Sequence, residues 1–131
     1  MVLTLKMKGE IKDHKGLIIW VKACELAKEI YEITSDYPKS ELFNLVSQMR
    51  RAAISVPSNI AEGAARQSTK EFIRYLQISS GSLSELETQL ILSAQLGLLN
   101  QKQKELTATK EKILILRKQI YATIRSLRAK S

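Results

Sequence analysis

The side chains of this sequence best equipped for chemistry are cations, and they are unevenly placed. From Gln101 to Ser131, nine Lys or Arg stand against two Glu, whereas the first 100 residues hold twelve against eleven. The whole chain carries a formal +8 with a pI near 9.7, so nearly all of the excess lies in the last segment. At 100° per residue, and with Arg117 as zero, Lys110, Lys118, Arg125 and Arg128 fall within about 100° of it. Tyr121 projects among them, where its ring can stack on a base or cover an apolar edge. Such a track neutralises phosphates with salt-dependent affinity and little sequence information. The plainer reading is a solvated helix whose charge keeps the protein in solution. Lys112 and Lys130 point away from this face and read as solubilising charge alone.

A second candidate set lies in "RRAAISVPSNIAEGAAR", Arg50 to Arg66. Gln48, Arg51, Ser55, Asn59, Glu62 and Arg66 share an arc of about 80° on a helix, at the border of its apolar stripe. Ser82, Glu85 and Gln89 flank the stripe of the following segment. With those two segments antiparallel about the Ala65–Ser68 turn, Arg51 comes level with Glu85 and Gln48 with Gln89. An Arg51–Glu85 pair is the specific expectation, because a guanidinium fork matches a carboxylate. The border then reads as a polar network at a helix or subunit boundary; phosphate contact by Arg50, Arg51 and Arg66 is the alternative. Pro57 predicts a bend near Ala53–Val56, with Ser55 and Ser58 serving the freed backbone groups. Gly63 allows a close neighbour or a helix end.

Other chemistry is not supported. The single histidine, His14, stands in a weakly patterned N-terminal stretch, and the single cysteine, Cys24, cannot build a thiolate zinc site within one chain. "GSLSE" lacks the preceding strand and the spacing of a phosphate loop. Glu85 and Glu87 point about 200° apart on a helix, so they are no acid–base pair. Glu62 and Glu85 have Arg51 and Arg66 as better partners than a metal. No cofactor or metal is expected, and the chain is not expected to be an enzyme.

The elements that must position these residues are helices. Five glycines and two prolines in 131 residues leave few turns, and 44% apolar against 26% charged residues is a globular balance. Apolar residues recur at helical spacing in four segments. The first covers about Leu17–Thr34, with Trp20, Ala23, Ala27, Ile30 and Tyr31. The second covers about Glu41–Ala65, with Leu42, Leu45, Met49, Ala52, Ala53, Val56 and Ile60. The third runs from the capping box Ser68/Glu71 to about Leu96. The fourth runs from about Asn100, after the stop at Gly97, to Arg128. Short connections predict an all-α, up-down-up-down antiparallel four-helix bundle over residues 16–131, behind a mobile tail, 1–15. One cysteine and the lack of any apolar span of about 20 residues predict a cytoplasmic protein with no membrane contact.

One further reading comes from resemblance. "QMRRAAISVPSNIAEGAARQSTKEFIRYLQISSGSLSELETQL" resembles the bacterial 23S rRNA intervening-sequence protein family. Gln48, Arg50, Arg51, Ser55, Pro57, Ser58, Asn59, Ile60, Glu62, Gly63 and Arg66 match its pattern. So do Gly81, Ser82, Glu85 and Glu87, and Trp20, Ala23 and Tyr31 look like its opening. The similarity spans about Leu17–Leu99. It implies a four-helix bundle assembling into a ring, a homopentamer. A related branch serves the reverse transcriptase of diversity-generating retroelements, where a basic ring surface contacts nucleic acid and a partner protein. The fourth helix lies outside the signature. The combined expectation is a homo-oligomer that binds RNA, DNA or a nucleoprotein through its basic surface; the competing one is a ring scaffold with no nucleic-acid role.

Overall fold

The spacing of apolar residues and the turn signals are realised as helix throughout. The computed structural model describes His14 and residues 17–130. The expected tail, 1–15, lies outside the described residues except for His14, whose ring packs edge-on against Trp20 at 4.8 Å. Among the described residues there are four long helices and no strand: α1 (Ile18–Thr34), α2 (Ser47–Ala64), α3 (Thr69–Gln95) and α4 (Gln103–Lys130). Each packs on the next in chain order, and α4 closes against α1. No helix among the described residues is long and apolar enough to cross a membrane.

The core is built from one stripe per helix: Ala23, Leu26 and Ile30; Met49, Val56 and Ile60; Leu76, Leu83, Leu86 and Leu90; Ile113, Leu116 and Ile120. Burying each Leu or Ile contributes roughly 1.5–3 kcal/mol, far more than local propensity, so the stripes fix which face of each helix turns inward. At Gly63 α2 and α3 approach closely. A Cβ there would stand 2.7 Å from Tyr75 Cβ and 3.0 Å from Phe72 Cδ1. Other side chains meet at Met49 with Ser93, Ser55 with Ser82, Ser80 with Tyr121, and Thr109 with Glu29.

The turns follow their local chemistry. Ser68 Oγ accepts from Glu71 N at 3.1 Å, closing the start of α3. At its end Gly97 adopts φ +79°, with Gly97 N bonding Ala94 O and Leu98 N bonding Ser93 O, both at 3.0 Å. That pair of bonds is a Schellman stop. α4 begins at Gln103, later than the Asn100 signal suggests. Leu99 is fully buried there, and Lys102 N bonds Leu99 O at 2.9 Å, so the chain turns once more before the helix starts.

The entry to α2 departs from expectation. In place of one helix from Glu41, a 3-10 turn (Lys39–Glu41) leads into a π-helical turn (Leu42–Val46) and only then into α2. The wider turn re-phases the chain. Leu45 and Val46 reach the core, while Leu42 leaves the expected stripe and Phe43 stands 88% exposed. α2 continues through Pro57. Two carbonyls just before it accept side-chain bonds as well: Ser79 Oγ donates to Val56 O at 2.9 Å, and Asn59 Nδ2 to Ser55 O at 2.8 Å.

Candidate nucleic-acid interface

The cations of α4 divide into two kinds. Lys110, Lys118 and Arg125 are exposed and form no hydrogen bond or ion pair among the described residues. Their ammonium and guanidinium groups are open to a polyanion. Arg117 differs. Its Nη2 donates to Glu87 Oε1 on α3 at 3.1 Å, its side chain is 17% exposed, and its Nε is buried. It straps α3 to α4 and is already neutralised, so the centre of the expected track is a structural ion pair. Tyr121 keeps 45% of its surface exposed while its hydroxyl accepts from Ser80 Oγ at 3.1 Å, which fixes the ring at the α3–α4 seam beside the free cations.

Arg128 stands at the end of the track. It lines a recess of about 770 Å³ together with Lys70 and Arg74 of α3. Those two cations extend positive charge from α4 onto the neighbouring helix. Their i, i+4 spacing in "KEFIR" was a visible signal, but only the packing of α3 on α4 joins them to Arg128. Lys112 was read as a free solubilising charge; it makes an ion pair with Glu29, tying α4 to α1.

The border of α2 resolves into separate groups instead of one network. Ser55 and Ser82 share a hydrogen bond at 2.7 Å, and Asn59 Nδ2 donates to Ser55 Oγ at 3.0 Å. Glu62 pairs with Arg66 at 2.7 Å, and Arg66 Nη2 donates to Tyr75 Oη at 2.8 Å while lying over the Tyr75 ring. Tyr75 first, then Glu62 and Glu71, raise the Arg66 pKa and hold it charged. Gln89 reaches Glu85 at 3.4 Å within α3, its Oε1 buried and unpartnered.

The expected Arg51–Glu85 pair does not form within the chain, nor does Gln48 meet Gln89. The level is as expected, since Ser55 faces Ser82. The direction is not: Ala52 and Leu86 are buried at that level, and Arg51, Gln48 and Glu85 are exposed. Arg51 and Gln48 form no hydrogen bond or ion pair among the described residues.

Two cations have structural duties that the sequence did not announce. Arg50 donates to Thr34 Oγ1 at 3.0 Å and Tyr31 O at 3.3 Å, and stacks on the Tyr31 ring at 4.4 Å. Lys102 Nζ donates to Ile33 O at 3.1 Å and Asp36 Oδ1 at 2.9 Å. Both place positive charge at the carbonyl end of α1, where the helix dipole favours it. The Lys102 hydrogen bond lowers the Asp36 pKa. Cys24 is half-buried, and its thiol pKa is raised by burial first and by Glu25 second, which keeps it protonated.

The model of a family described as 23S rRNA-intervening sequence protein matches residues 15–124. No curated protein gives a match.

Proposed function

From the premise that the chain belongs to the 23S rRNA-intervening sequence protein family, we propose a non-catalytic protein that binds RNA through the basic face of α4. Lys110, Lys118 and Arg125 supply the contact, with Tyr121 beside them and Arg128, Lys70 and Arg74 at one end. The observation that carries this reading is the freedom of the first three: each is exposed and unpaired among the described residues, while neighbouring cations are held in ion pairs. The family's link to 23S rRNA fits RNA ahead of DNA.

The bundle is up-down-up-down in this reading. Its support lies in the pairings along each seam. On α2 and α3 they run Met49–Ser93, Ser55–Ser82 and Val56–Ser79, rising on one helix as they fall on the other. On α3 and α4 they run Ser80–Tyr121 and Glu87–Arg117. Copies assemble into a ring, a homopentamer, which repeats the basic face and raises avidity for a long polyanion without new contacts.

Binding of labelled structured RNA and of duplex DNA across a salt series tests this. A Lys118→Glu/Arg125→Glu variant is expected to lose RNA binding while keeping its helix content. Absence of RNA binding at low salt favours a scaffold ring with no nucleic-acid role, a reading the exposed apolar side chains support independently.

A further inference from the structure

Four of the exposed large apolar side chains gather in one place. Tyr31 on α1, Leu42 and Phe43 on the π-helical turn, and Ile54 on α2 surround an open recess of about 510 Å³. Single exposed apolar residues need no explanation, but a cluster centred on a phenylalanine held out in water marks a covered surface. Arg50 and Arg51 also line the recess. Arg50 is committed to Tyr31 and Thr34, whereas Arg51 has no partner among the described residues.

A second surface lies on α3. Ile78, Glu85 and Leu92 are spaced seven apart, which aligns them along one exposed line of the helix. The carboxylate of Glu85 sits between two apolar side chains and meets no cation among the described residues; its one hydrogen bond among them, from Gln89, is long at 3.4 Å. One surface is apolar with an unmatched cation. The other is apolar with an unmatched anion.

We propose that these two surfaces dock onto each other between copies of this chain, with Arg51 of one copy paired to Glu85 of the next. The occupant is a second copy because a single sequence carries both halves of the complementary pair, and the two halves do not meet within it. The surfaces differ, so the contact is head-to-tail, and repetition around a closing rotation yields a ring. Leu42, Phe43 and Ile54 pack against Ile78 and Leu92, and the water they exclude strengthens the guanidinium–carboxylate bond at their centre. This inference rests on the ring assembly proposed above and names the contact that builds it.

A charge swap tests it, read by light scattering and sedimentation, with circular dichroism confirming helix content. Both residues are exposed, so neither substitution disturbs the core. Arg51→Glu and Glu85→Arg are each expected to shift the protein to monomer, at least tenfold weaker in association. The double variant is expected to regain the assembly. An assembly that survives both single substitutions, or a double variant that stays monomeric, overturns this contact and leaves ring formation standing. A monomeric wild-type protein overturns both.

Discussion

Arg117 of α4 donates to Glu87 of α3 at 3.1 Å, from a side chain only 17% exposed. Arg117 therefore holds the fold, while Lys118 and Arg125 of the same helix remain available to a ligand. The pair lies between the surface and interior regimes: Glu87 keeps 37% of its side chain in solvent, so screening weakens the bond, but losing the arginine strands a partly desolvated carboxylate.

Arg117→Ala is accordingly expected to lower unfolding free energy by about 1–3 kcal/mol, visible as a lower denaturant midpoint with unchanged slope. Lys118→Ala, one residue along but exposed, is expected to change stability by less than about 0.5 kcal/mol. In nucleic-acid binding the order reverses, with Lys118→Ala causing the larger loss. Equal destabilisation by the two substitutions removes the distinction between strap and contact.

The two helical glycines give a second contrast. Gly63→Ala places a methyl 2.7 Å from Tyr75 Cβ, so α2 and α3 must separate, and a loss of about 1–2 kcal/mol is expected. At Gly81 a Cβ meets nothing within 4 Å, and Gly81→Ala is expected to gain up to about 1 kcal/mol from helix propensity. Chemical denaturation of the two variants at dilute protein settles the signs.

The Lys102–Asp36 contact makes part of the stability pH-dependent. Bonding to Lys102 holds the folded-state pKa of Asp36 below its ordinary value, so the unfolded chain takes up the proton first on acidification. The contribution is present above the unfolded pKa of about 3.9 and is lost as pH falls through the lower folded value. Asp36→Asn is expected to flatten the acid limb of the stability profile below about pH 4 and leave the shape between pH 6 and 8 unchanged. An unchanged acid limb contradicts the assignment.

Much of this fold was legible because its signals are local and periodic. The Ser68/Glu71 box and Gly97 act through bonds within a few residues of themselves, and both are seen in place. The turn at Leu42–Val46 was not legible, since a five-residue change of helical period leaves no trace in a 3.6-residue template. Its effect was nonetheless large, taking Leu42 out of the expected stripe and leaving it on the surface. Within the candidate site, the α4 cations were found from spacing alone. Which of them were already spoken for depended on Glu87 and Glu29, which lie on other helices. Arg51 and Glu85 show the same limit: spacing placed them at one level, but not which way each side chain faces, and both are exposed.

The most direct test of the account is the equilibrium binding of a labelled structured RNA by wild-type protein and by Lys118→Glu/Arg125→Glu, followed by anisotropy from low to physiological salt. Log affinity of the wild type is expected to fall linearly with log salt, by a slope of roughly 0.7–0.9 for each phosphate engaged. The variant is expected to lose binding, while Arg117→Ala retains most of it. No wild-type binding at low salt, or a variant that binds as tightly as wild type with the same slope, contradicts the claim that α4 carries a nucleic-acid surface.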